Sequence, residues 1–133
     1  MRRLAMCLGL ACCGLSAVTP ASAQQYRVYF GTYSRPDDGG VFQAMFDADT
    51  GKLSEATLAG PAVNPSFLAI HPSRKFLYAV GEISDFNGQK TGGVSAFAID
   101  PGTGKLTLLN QQSSMGAGPC HITLDRARST ALV

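Results

Sequence analysis

The 133-residue sequence has no apolar run of bilayer length, no surplus of charge over its main body, no usable pair of cysteines there and no sustained helical period. Its longest apolar stretch, residues 4–18, is 15 residues long, short of the roughly 20 that a helix needs to cross a hydrocarbon core. That stretch follows Arg2 and Arg3 and leads into Pro20 and then Ala21, Ser22 and Ala23. Charged start, apolar middle and small-residue end are the three regions of a secretory leader, with cleavage expected after Ala23. Residues 1–23 are therefore expected to be a signal peptide and residues 24–133 an exported domain, periplasmic or secreted and free of the membrane after cleavage. Cys13 does not make a lipidation site, since Cys12 stands where a small residue is required.

Cys7, Cys12 and Cys13 leave with the leader, so Cys120 is alone in the mature chain and no internal disulfide can form. Arg2 and Arg3 leave as well, and nine Lys and Arg then face nine Asp and Glu. A formally neutral domain offers no electrostatic attraction for nucleic acid or an anionic membrane. Outside the leader no segment carries an amphipathic helical period.

What is present is a repeat. GGVFQAMFDADTGKLSEA at residues 39–56 returns as GGVSAFAIDPGTGKLTLL at residues 92–109, an offset of 53. Gly39, Gly40, Val41, Asp47, Thr50, Gly51, Lys52 and Leu53 have the counterparts Gly92, Gly93, Val94, Asp100, Thr103, Gly104, Lys105 and Leu106. With one inserted residue the repeat extends, and Pro65, Leu68, Ile70, Arg74 and Ala79 fall opposite Pro119, Ile122, Leu124, Arg128 and Val133.

Residues 26–33 (YRVYFGTY) are rich in aromatic and β-branched side chains and predict a strand. In residues 93–100 Val94, Ala96 and Ala98 share one face and Phe97 and Ile99 the other, so both faces must be covered. Each DxxTGKL stretch predicts a turn in which Gly51 or Gly104 takes positive φ before Lys re-enters a strand. One unit then reads as four strands, near 66–71, 76–82, 93–100 and 106–113. Four short antiparallel strands in about 50 residues make a β-propeller blade and exclude helical repeats.

These motifs carry a resemblance. GTYS, GGVFQAMFDADTGKL, NPSFLAIHPSRKFLYAV, GGVSAFAIDPGTGKLTLLNQQSS and GPCHITLD are similar to the N-terminal part of the lactonase family of seven-bladed propellers. That family includes propeller-type 6-phosphogluconolactonases and carboxymuconate cycloisomerases. The resemblance implies an all-β fold with about two of seven blades in this chain, because seven blades need about 350 residues. The remaining C-terminal blades would be needed to close the ring, and the chain is expected to be a fragment that is inactive and prone to associate by itself.

The chemistry implied is hydrolysis of a small-molecule sugar lactone to the open-chain acid, with no cofactor or metal. The alternatives are a non-catalytic propeller used as a binding or scaffold module and a cycloisomerase acting on a muconate-type acid. Opening a lactone needs an activated water and donors for the developing oxyanion, and histidine is the usual base near neutral pH. Only His71 and His121 occur. His71, before a proline in a strand-end turn, is read as serving that turn. His121 occupies the position held by Phe67 in the other repeat, so the repeat itself does not demand a histidine there. The resemblance implies that a histidine in a GPxH element faces the central channel as a catalytic residue; bonding to a neighbouring blade is the structural alternative.

Asn64 and Glu82 are candidate substrate-binding residues. Asn64 is read first as serving an Asn-Pro turn and second as a donor to a substrate oxygen, and Gly81 replaces an amide that accompanies the glutamate in many relatives. Cys120 beside His121 suggests a Cys-His nucleophile, but adjacent strand residues face opposite ways, and Cys120 is read as a small buried filler.

Overall fold

The protein is described by a computed structural model covering residues 24–33 and 39–133. The expected leader at residues 1–23, and the final serine of GTYS, lie outside the described residues. Ten strands and no helix make up the described chain: β1 (Gln25–Phe30), β2 (Gly40–Asp47), β3 (Lys52–Leu53), β4 (Thr57–Pro61), β5 (Leu68–Ile70), β6 (Phe76–Gly81), β7 (Gly93–Ile99), β8 (Leu106–Ser113), β9 (Thr123–Leu124) and β10 (Ala131–Leu132).

β5 to β8 form a four-stranded antiparallel meander in chain order, one whole blade. Its bounds lie within two residues of those predicted. In the preceding sheet β2 pairs with β1 on one side and with both β3 and β4 on the other, the outer lane being broken by residues 54–56. β9 and β10 pair as a hairpin at the place of β5 and β6 in the following repeat. The internal register confirms the inserted residue in the alignment: Arg74 and Arg128, paired by it, both sit in the left-handed region with φ of 60° and 63°.

The first strand is shorter than expected and ends at Phe30 rather than Tyr33. Gly31 accounts for the break, because a Cβ built there would lie 1.8 Å from the carbonyl oxygen of Pro65. The chain leaves the sheet at that point to run against the loop before β5.

Alternation along each strand decides what the two sheets share. Leu77 and Ala79 of β6 face Phe97 and Ser95 of β7 across the ladder, and all four are buried. Val41 and Ala59 of the first sheet pack on Leu77, Ala79, Phe97 and Leu106, with Tyr29, Leu68 and Ile99 at the margin. The core is therefore the seam between two blades, as blade stacking requires. Val94, Ala96 and Ala98 on the opposite face are only half-buried.

Both DxxTGKL turns have the same chemistry. The Asp47 carboxylate accepts from the backbone N–H of Asp49 and Thr50, at 3.0 and 2.9 Å, and that of Asp100 from Gly102 and Thr103, at 3.1 and 2.6 Å. Gly51 and Gly104 take φ of 69° and 73°, as the sequence predicts. The second turn is also gripped by the first sheet: Arg27 Nη2 donates to Gly102 O, Tyr29 Oη to Gly104 O and Gln43 Nε2 to Thr103 O, at 3.0, 2.8 and 3.0 Å. Lys105 Nζ returns a bond to Leu58 O. These bonds fix the rotation of one blade against the next, and with it the positions of the loops at the blade ends.

Candidate functional site

In an antiparallel blade the start of the first strand and the end of the second lie on the same rim. The segment before β5, the residue after β6, the residues after β1 and the segment before β9 therefore meet at one end of the sheets. From those four segments come Ser66, Glu82, Tyr33 and His121.

Glu82 is the hub. Ser66 Oγ donates to its Oε2 at 2.6 Å, and Tyr33 Oη donates to the same oxygen. The two donors lie 16 and 49 residues away in sequence. These hydrogen bonds, from Ser66 first and then Tyr33, hold the Glu82 carboxyl below its ordinary pKa, while donation to Glu82 pushes the Tyr33 phenol up. Glu82 is thus kept as a carboxylate and Tyr33 as a phenol. The glutamate backbone is fixed as well, since its N–H donates to Asn64 O at 3.0 Å.

Asn64 is in a tight left-handed turn with φ of 44°. Its carbonyl accepts from both Ser66 N and Glu82 N, and its Nδ2 is directed at Glu82 O at 3.4 Å. The structure brings Asn64 and Glu82 together, and shows that the turn role expected for Asn64 is filled. Asn64, Glu82, Ile83, Ser84, Asp85 and Gly118 line a shallow depression of about 510 Å³.

His121 stands two residues before β9, in irregular backbone, and is exposed. Its ring lies 4.5 Å from that of Phe67, tilted by 51°. Ser66 is the neighbour of Phe67 in the chain, so the loop before β5 touches Glu82 with one residue and His121 with the next. Cys120 is exposed, which corrects the expectation of a buried filler. It lies in the electrostatic neighbourhood of Tyr33, in the same irregular stretch as His121, where no sheet face covers it.

His71 is away from this rim. Its Nδ1 accepts from Ser73 N at 3.1 Å and contacts Ser73 Oγ at 2.7 Å, which leaves Nε2–H to donate to Arg128 O at 3.3 Å. The turn role read from the sequence is the one it has, with a bond to the next hairpin added. Among the described residues no group of three or more His, Cys, Asp or Glu could hold a metal ion.

Sequence reasoning missed Tyr33 and Ser66 as site residues. Tyr33 belongs to GTYS and Ser66 follows Asn64 and Pro65, so both were inside quoted motifs, but neither carries a signal that it bonds to Glu82.

Residues 27–133 match the family described as lactonase, 7-bladed β-propeller. The 6-phosphogluconolactonase of Bacillus subtilis is 36% identical over 101 residues, covering 76% of this chain, and that of Formosa agariphila is 31% identical over 101 residues, covering 75%. A crystal structure from Bacteroides fragilis, of a protein proposed to be a 6-phosphogluconolactonase, is 37% identical with a TM-score of 0.62 and covers 76% of this chain and 27% of that one. The chain spans 28% of the length of each of the two curated relatives. With the family matched across almost all the described residues and a four-stranded antiparallel blade formed by β5 to β8, the chain belongs to the lactonase family of seven-bladed β-propellers.

Proposed function

We propose that this chain supplies the first blades of a lactonase that hydrolyses a sugar lactone to its open-chain acid. The observation that carries the reading is the cluster of Tyr33, Ser66 and Glu82, joined through the loop before β5 to Phe67 and His121, in a fold whose similar relatives are 6-phosphogluconolactonases.

In this reading His121 is the general base. It takes a proton from a water that adds to the lactone carbonyl carbon; the ring C–O bond then breaks and the proton passes to the departing alkoxide. Its exposure gives water and substrate access, and Phe67 packs against its ring. The phenol of Tyr33 and the amide of Asn64 border the same rim with polar groups. The segment corresponds to 28% of the length of each of the two curated relatives, and in this reading a complete site also draws on the other blades of a seven-bladed ring.

The pattern of residues 1–23 supports export, to the periplasm or beyond, with cleavage between Ala23 and Gln24. An exported enzyme meets free lactones rather than the sugar phosphates of the cytosol, which favours an unphosphorylated substrate.

The test is a hybrid enzyme in which residues 27–133 replace the matching segment of the Bacillus subtilis relative. Hydrolysis of a gluconolactone by the hybrid is expected, with none by the present chain alone. A folded hybrid that leaves lactones intact while the relative hydrolyses them would favour a binding or scaffold role.

A further inference from the structure

We propose that the groove between β5 and β9 binds an oxyanion, the carboxylate of a sugar acid or a phosphate, on Arg126 and Arg128 at the rim opposite Glu82. The site is independent of the lactonase reading and lies at the other end of the sheets.

The turn after β5 (residues 71–75, HPSRK) and the turn after β9 (residues 125–129, DRARS) hold the same place in successive repeats. Of their aligned positions only the arginine recurs, as Arg74 and Arg128. It recurs in a backbone conformation that suits it poorly, with φ of 60° and 63°, where Cβ crowds the following carbonyl oxygen. Gly51 and Gly104 take a left-handed φ in the DxxTGKL turns of the same rim, so the fold has a less strained residue for such places. A long cation kept twice despite the strain points to a use for its side chain.

The turns are held together by other groups. In the first, His71 Nδ1 accepts from Ser73 N at 3.1 Å and His71 O from Arg74 N at 2.7 Å. In the second, the Asp125 carboxylate accepts from Ser129 N and Thr130 N, at 2.8 and 2.9 Å, and from Ser129 Oγ at 3.4 Å. The guanidinium of neither arginine takes part in these bonds, and the carboxylate that lies closest in sequence is committed to its own turn. His71 Nε2–H donates to Arg128 O at 3.3 Å and fixes one turn against the other.

Arg126 and Arg128 are exposed and line one end of a groove of about 550 Å³, whose walls include Leu68 and Ile70 of β5 and Leu124 of β9. His121 lines the other end, before β9. Two planar guanidinium forks at the mouth of a groove with apolar walls suit a carboxylate or phosphate, which accepts paired N–H donors, on a ligand whose body lies along the strands.

The probe is inorganic phosphate, titrated against the unaltered chain at constant ionic strength and followed by phosphorus NMR line broadening. Binding is expected, weakened about 10-fold or more in Arg126→Gln and in Arg128→Gly, the range for losing a hydrogen bond to a charged group. Arg128→Lys, which keeps the charge without the planar fork, should fall between. In phosphate-free buffer Arg128→Gly should keep or raise the urea midpoint, because glycine takes φ of 63° freely. Release of bound phosphate by gluconate would assign the groove to sugar acids, and retention against gluconate would assign it to phosphates. No broadening with the unaltered chain, or broadening unchanged in Arg126→Gln, would overturn the proposal whatever the stability of Arg128→Gly.

Discussion

Phe67 and His121 hold equivalent places in successive repeats, and their rings are in contact at 4.5 Å. In a propeller the same position of every blade points to the same region, so a substitution at one copy is felt by the next. The first unit keeps an apolar ring there and the second puts an imidazole against it, tilted by 51°, so the phenyl ring supports the histidine.

His121→Ala in the hybrid enzyme is expected to cut kcat for lactone hydrolysis by about 10²-fold or more, as loss of a general base does. Because His121 is exposed, its removal should change stability by less than about 0.5 kcal/mol. Phe67→Ala should lower kcat by a smaller factor. Steady-state kinetics with a urea melt checks both, and unchanged turnover in His121→Ala would return the residue to a packing role.

Gly51 and Gly104 have the same backbone conformation and different surroundings. Either glycine replaced by Ala meets a left-handed φ, at a cost of about 1–2 kcal/mol. Nothing lies within 4 Å of a Cβ at Gly51, whereas at Gly104 it would come within 2.1 Å of Gln43 Oε1 and 2.4 Å of the Arg27 side chain. Gly104→Ala should therefore destabilise more than Gly51→Ala, by displacing the side chains that hold the second turn. Denaturant midpoints of the two variants, at equal m, provide the comparison.

Gln43 is 8% exposed and donates to Thr103 O. Gln43→Ala leaves a carbonyl unsatisfied at the seam and should cost about 1–3 kcal/mol. Tyr29→Phe removes the bond to Gly104 O and the interaction of the phenol with Arg27 and should cost about 1 kcal/mol. Equilibrium unfolding of both would show whether the blade seam depends on these contacts.

Asp47, Asp100 and Asp125 all have their carboxyl pKa lowered, first by the backbone N–H of Thr50, Thr103 and Thr130 respectively. A group whose folded pKa is depressed favours the folded state most fully above its ordinary value, here 3.8, and loses that contribution as pH falls through the folded value. Acid should therefore weaken three turns together below about pH 4. Unfolding midpoints measured from pH 6 to pH 2 should fall, and Asp100→Asn should flatten part of that fall. A variant with an unaltered pH profile would show that the turn charge does not contribute.

The chain by itself exposes Leu108, Leu109, Leu132 and Val133, and β1 has no described strand along its outer edge. Unpaired edges and adjoining apolar surface favour association. Size-exclusion chromatography of residues 24–133 should show oligomers or poor recovery; a monodisperse monomer with cooperative unfolding would contradict the expectation.

The sequence by itself determined the repeating unit, the four-strand count and the turns. Strand alternation depends on neighbours two residues apart, and a turn such as that at Asp100 is made by a carboxylate bonding to N–H groups two and three residues on. Both are local, so 53-residue self-similarity was enough to place β5 to β8 and to foresee positive φ at Gly51 and Gly104. His121, Asn64 and Glu82 were legible as candidates, but their surroundings were not. Only the tertiary structure decided that Tyr33 and Ser66 converge on one oxygen of Glu82, that Phe67 backs His121 and that Cys120 is exposed. Those relations join segments far apart in sequence, and they depend on where β1 breaks at Gly31 and on how Arg27, Tyr29 and Gln43 lock one blade to the next. The spacing of residues along a strand does not encode the rotation between two sheets, and that rotation sets which loops meet at the rim.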